Sequence, residues 1–124
     1  MLSKSRAVAI LPGKDLNRSK EFYTKTLGLG LEGEFPGVVM FSAGENSRVV
    51  VYAKTEGTKA EHTVLGFDVE DLAMEMGALR AKGVVFEEYD TPEVKTVEGV
   101  ADFGPVKSAW FKDPDGNIIA LNQM

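Results

Sequence analysis

Apolar residues fall in short runs broken by turn formers, and two intervening stretches have helical spacing instead. The first run, 7–11 (Ala7, Val8, Ala9, Ile10, Leu11), ends at Pro12-Gly13, which predicts a strand. Asp15 then stands where a helix cap belongs. Leu16, Tyr23 and Leu27, with Phe22 beside them, predict a helix that Gly28 stops. Two further runs, 37–41 and 49–52, flank the turn Gly44-Glu45-Asn46 and read as a hairpin. The second half repeats this order. Val64-Leu65-Gly66-Phe67 is followed by Asp71-Leu72, by Met76 and Leu79 at helical spacing, and by Gly83. A closing pair, 108–111 and 118–121, flanks Asp113-Pro114-Asp115-Gly116-Asn117.

The chain therefore predicts two tandem units of strand, helix and three strands, an α+β fold of two βαβββ modules. Module one covers about 5–57 and module two about 61–124 of a single domain, 1–124. The expected sheets curve around a concave cup with the helices outside. Strand alternation places Leu65, Phe67 and Val69 under a helix and Val64, Gly66 and Asp68 on the opposite face. It likewise separates Ile119 and Leu121 from Ile118, Ala120 and Asn122. Gly77 weakens the second helix by about 1 kcal/mol relative to Ala. The stretch 92–105 has little periodicity and reads as an irregular loop with one short strand, long enough to serve as a lid.

Composition narrows the function. Of 124 residues, 14 are Lys or Arg and 19 are Asp or Glu, a net charge of −5. An acidic chain lacks the electrostatic attraction that drives nucleic-acid binding, and no basic cluster suits an anionic membrane. There are no cysteines, which removes thiol nucleophiles, disulfides and thiolate metal sites. No apolar run is long enough for a membrane span and the start is too polar for a signal peptide, so the expected location is the cytoplasm. Serine-nucleophile chemistry and phosphate loops lack their motifs.

The duplicated unit, the segment from Asp15-Leu16 through Phe22-Tyr23 to Leu27-Gly28-Leu29, and the segment Trp110-Phe111-Lys112-Asp113-Pro114-Asp115-Gly116-Asn117 resemble the vicinal oxygen chelate superfamily. That group includes glyoxalase I, extradiol dioxygenases, fosfomycin-modifying enzymes and bleomycin-resistance proteins. The resemblance spans nearly the whole chain. It implies His and Glu metal ligands on four strands, and these positions fall here near Val8, near Val51, at Val64 and at Ala120. None of these side chains binds a divalent ion. The resemblance also implies a homodimer.

His62 is the one imidazole, and a single imidazole does not make a metal site. It reads either as an exposed strand-start residue or as a cavity-lining hydrogen-bonding group. Asp68 and Asn122 fall on the inner face as polar candidates. Trp110, Tyr52, Tyr89 and Phe103 are the aromatic candidates, with ordinary core packing as the competing reading for each. Phe41 is read as the approximate counterpart of Trp110, one residue off in the alignment, Met40 as a core filler, Glu87-Glu88 as a solvated edge, and Asp102 and Lys107 as loop charges able to touch a ligand. The expected ligand-binding set is Tyr52, His62, Asp68, Phe103, Trp110 and Asn122, with no metal and no cofactor.

Three readings follow from this set. The first is a metal-independent protein that encloses a small organic molecule. The second is a glyoxalase- or dioxygenase-class enzyme with atypical or no metal ligands. The third is an interaction module without a ligand.

Overall fold

The computed structural model describes residues 1–124 and divides them into two compact units, Met1–Lys59 and Ala60–Met124. The first contains β1 (Ala9–Gly13), α1 (Leu16–Glu21), β2 (Gly30–Phe35), β3 (Val38–Ser42) and β4 (Arg48–Ala53). Its sheet has the order β1-β4-β3-β2, with β1 parallel to β4 and the other pairs antiparallel. The second contains β5 (Thr63–Asp68), α2 (Leu72–Ala81), β6 (Ala101–Asp102), β7 (Lys107–Lys112) and β8 (Ile118–Gln123). Its order, β5-β8-β7-β6, repeats the first with β5 parallel to β8. The α+β fold of duplicated βαβββ units is the one the sequence predicts.

Each sheet buries one face under its own helix. In the first unit Leu11, Val39, Phe41, Val49 and Val51 alternate onto that face and are nearly solvent-free, and Tyr23 stacks on Phe41 at 5.2 Å between centroids. Asp15 caps α1 by accepting from the Asn17 and Arg18 amides at 3.0 and 3.2 Å. The predicted helix does not stay α-helical to Leu27. From Phe22 to Thr26 it widens into a π turn, with the Leu27 amide donating to the Phe22 carbonyl at 3.0 Å. The wider turn rolls Tyr23 fully into the core while Phe22 stays half-buried and meets it edge-on.

In the second unit Leu72, Met76 and Leu79 of α2 cover Phe86, Ala109, Phe111, Ile119 and Leu121. Gly77 sits on the exposed side of the helix. The cap is Asp71, and the Leu72 amide donates to Gln123 Oε1 at 2.7 Å, which fastens the helix start to the end of β8. The β7–β8 turn is built around a buried carboxylate. Asp113 Oδ1 accepts from the Asp115 and Asn117 amides, both at 2.9 Å, and Oδ2 accepts from Asn117 Nδ2 at 2.8 Å. Gly116 takes the left-handed position at φ 91°.

Two strand registers differ from expectation. Val51 lies in the helix-side core, paired with Leu11 and Val39, so the open-face positions on β4 are Val50 and Tyr52. The β5–β8 ladder shifts between Thr63 and Leu65, which places Val64 in a bulge. The one-residue offset between Phe41 and Trp110 is resolved: Phe41 corresponds to Phe111, both under their helices, and Trp110's counterpart is Met40, on the open face.

Asn117→Ala removes the side-chain hydrogen bond to the buried Asp113 carboxylate, keeps the backbone one, and should lower unfolding stability in urea by about 1–3 kcal/mol. An unchanged midpoint would show that Asp113 and the backbone alone hold the turn.

Candidate functional site

The open face of the second sheet follows from its register. Trp110 pairs with Ala120 and Ala120 with Gly66, so the indole lies beside a methyl group and a bare backbone. One row further along, Ser108, Asn122 and Asp68 line up across three strands, and Ser108 Oγ donates to Asn122 Oδ1 at 2.7 Å. In the other direction Lys112, Ile118 and Thr63 share a row. Small side chains beside Trp110 leave one side of the ring uncrowded.

At that end of the face is a cavity of about 240 Å³ lined by Glu61, His62, Thr63, Tyr89, Thr91, Val94, Trp110 and Ile118. Tyr89 and Trp110 meet edge-on, 5.5 Å between centroids with planes at 82°. The outer wall comes from residues 89–100, which begin before and overlap the stretch 92–105 expected to be an irregular loop. It is two tight hairpins in succession. In the first, Tyr89 and Thr96 exchange backbone and side-chain bonds: the Tyr89 amide donates to Thr96 Oγ1 at 2.8 Å and the Thr96 amide to the Tyr89 carbonyl at 2.9 Å. Its tip closes with the Thr91 amide donating to the Val94 carbonyl at 2.8 Å. In the second, Val97 and Val100 bridge across Glu98 and Gly99, at φ 52° and 84°. Gly99 is required there twice over, since a Cβ would also stand 3.1 Å from Met76 Cε and 3.2 Å from Phe86 Cβ.

Glu88 ties the two hairpins together. Its Oε1 accepts from Thr96 Oγ1 and from the Gly99 amide, both at 2.7 Å. Glu87 forms an ion pair with Lys112 at 3.5 Å, and its amide donates to the Trp110 carbonyl at 2.8 Å. Glu87-Glu88, half-buried and exposed respectively, is thus a structural clamp as well as the solvated edge expected from sequence. Burial and the nearby Glu87 carboxylate push the Tyr89 phenol above its ordinary range, with Lys112 partly opposing them. The phenol therefore stays protonated at neutral pH and can donate a hydrogen bond into the cavity.

Of the six residues singled out from sequence, His62 and Trp110 meet in this cavity. His62 lies just before β5, exposed, not within the strand. Asp68 and Asn122 are adjacent on the same open face, at the far side of Trp110, and do not line the cavity. Tyr52 belongs to β4 of the first unit. Phe103 follows β6 and is half exposed, its amide bonded to the Val106 carbonyl at 2.9 Å. Asp102 folds back on the Gly104 amide at 2.9 Å, and Lys107 lines a separate groove beside α2. Sequence reasoning assigned no role to Thr91 and Val94. The alternation of Tyr89 and Thr91 before Pro92-Glu93 was the available signal for a hairpin there.

The sequence profile of the Glyoxalase/Bleomycin resistance protein/Dioxygenase superfamily matches residues 6–121. The chain belongs to that superfamily. Solved structures agree. A glyoxalase/bleomycin resistance protein from Streptomyces sp. CB03234 is 25% identical, with a TM-score of 0.70 over 96% of this chain and 100% of the other. An antibiotic binding protein from the same strain is 24% identical, with a TM-score of 0.68 over 97% of each chain. An integron cassette protein from the mobile metagenome of the Halifax Harbour sewage outfall is 22% identical, with a TM-score of 0.75 over 98% of this chain and 99% of that one. No curated protein matches the chain.

The superfamily's metal-using members raise the question of whether these residues suit a metal ion. They do not. Open-face positions on β1, β4, β5 and β8 carry Ile10, Val50, Tyr52, Gly66 and Ala120, and the carboxylate Asp68 lies on that face beside the amide Asn122. No three His, Asp or Glu side chains cluster so as to hold an ion.

The raised phenol gives a prediction. Below pH 10 its effect on stability is fully present; as pH climbs through the folded value, the unfolded chain ionises first and that stability is lost. In an ultraviolet titration of tyrosinate, one component should appear above the ordinary phenol range and vanish in Tyr89→Phe. An unchanged curve in the variant would assign the late component elsewhere.

Proposed function

We propose that this protein is a metal-independent small-molecule-binding member of the superfamily, which encloses a small organic ligand in an apolar cup. The carrying observation is the pairing of a preformed cavity, walled by Trp110, Tyr89, Val94 and Ile118, with apolar side chains where the superfamily's metal ligands would stand. Such a cavity gains binding energy from apolar burial and fixes orientation through a few polar groups, here His62, Thr63, Thr91 and the Tyr89 phenol. The fold shared with an antibiotic binding protein supports the same reading. Asp68 and Asn122, further along the same open face, enter it as contacts for ligand parts that extend beyond the cavity.

The protein works in this reading as a cytoplasmic homodimer. Ile10 and Phe35, on the open face of the first sheet, are 62% and 61% exposed and suit burial against a second copy. No helix is long and apolar enough to cross a membrane.

A second reading is an enzyme without a metal, supported by His62, whose imidazole lines the same cavity as the Tyr89 phenol. Turnover of a hemithioacetal, lost in His62→Ala, would favour it.

Native mass spectrometry on tag-free protein purified without chelator should give a dimer carrying an organic mass and no divalent ion. Binding of that organic molecule should be unchanged in EDTA. A stoichiometric metal, or affinity lost to the chelator, would overturn the metal-independent reading.

A further inference from the structure

The cavity's chemistry also selects the charge of its occupant. This step rests on the binding reading above and narrows it. The lining residues include one carboxylate, Glu61, and no Lys or Arg. The nearby cation, Lys112, is engaged by Glu87 at 3.5 Å. A carboxylate or phosphate placed here would lose its hydration and find no Lys or Arg in return, only the His62 imidazole. Thr63, Thr91 and the protonated Tyr89 offer hydroxyl oxygens, which accept from a cationic N–H or lie against a methylated nitrogen.

The aromatic wall points the same way. Trp110 and Tyr89 stand at 82° with centroids 5.5 Å apart, so the two rings form a corner rather than a parallel slot. A parallel slot suits a flat neutral ring. A corner of perpendicular π-systems with a carboxylate at its edge suits a compact cation, attracted by the ring quadrupoles and by Glu61. At about 240 Å³ the space seats an ammonium head with a modest apolar body.

We propose that this cavity binds an organic ammonium, primary to quaternary, with the nitrogen held between Glu61 and the Trp110–Tyr89 corner and the apolar body against Val94 and Ile118.

Trp110 is the sole tryptophan, so its fluorescence or indole N–H resonance reports this site alone. The probes are choline and 3,3-dimethylbutan-1-ol, which share a shape and differ in charge. Choline should give a saturable Trp110 response, and the neutral alcohol should bind about tenfold more weakly or worse. Glu61→Gln changes an exposed residue and should weaken choline about three- to tenfold without changing the circular dichroism. Trp110→Leu should abolish choline binding as followed by calorimetry; should it fail to fold, the Glu61→Gln result decides.

Equal affinity for the neutral isostere would overturn the charge selection. So would a Glu61→Gln variant that binds choline as tightly as the parent, benzoate binding more tightly than choline, or no response to either matched probe. In each of these cases an organic mass retained in the native spectrum would leave the binding reading standing.

Discussion

Phe111 under α2 is the contact on which the rest of the second unit depends. It is fully buried, meets Phe86 edge-on at 5.6 Å, and shares its face with Ile119 and Leu121. Burying a side chain of that size is worth roughly 1.5–3 kcal/mol, so the strand has no freedom to turn over. Side chains alternate along a strand, so fixing Phe111 inward fixes Trp110 and Lys112 outward. The position of the indole beside Ala120 and Gly66 is therefore a consequence of core packing, not a separate feature. The same constraint acts in the first unit, where Phe41 under Tyr23 turns Met40 to the open face. One duplicated rule thus yields two open faces with different side chains, and only the second carries a tryptophan.

The duplication is legible because it is written in features with a local physical cause: Asp caps, glycine stops, apolar runs and the Asp-Pro-Asp-Gly turn. The features that depend on register are harder to read. Val49, Val50, Val51 and Tyr52 are a continuous apolar run, and such a run does not say which residues face the helix. Only its pairing with Leu11 and Val39 puts Val51 inside. The bulge at Val64 and the π turn after Glu21 each insert one residue into an otherwise regular element, with no composition signal to mark them.

The cavity wall was illegible for a different reason. The stretch from Tyr89 to Val100 is polar and lacks a core face, so periodicity has nothing to detect. Its order comes from specific bonds: the Thr96 hydroxyl and the Gly99 amide on Glu88, the Arg80 guanidinium on the Glu98 carbonyl at 3.0 Å, and the left-handed pair Glu98-Gly99. Each requires two residues that sequence alone gives no reason to pair. Trp110 is legible as the sole tryptophan, in the strand before the Asp113–Asn117 turn; Thr91 and Val94 are not, because they matter only once the hairpin exists.

Those bonds bear on function through preorganisation. A wall that orders only on contact with ligand would pay its conformational entropy from the binding energy, roughly 0.5–1.5 kcal/mol for each immobilised flexible side chain. Here Glu88 accepts from both hairpins, and Arg80, stacked 5.2 Å from the Phe86 centroid, pins the second to α2. Tyr89 is further held against Trp110 by its own backbone bonds to Thr96. The aromatic corner is consequently anchored to the same core that fixes Phe111, through Phe86 on one side and β7 on the other. Anchorage of that kind is the physical condition that the proposed metal-independent binding has to satisfy, because no ion would organise the cavity.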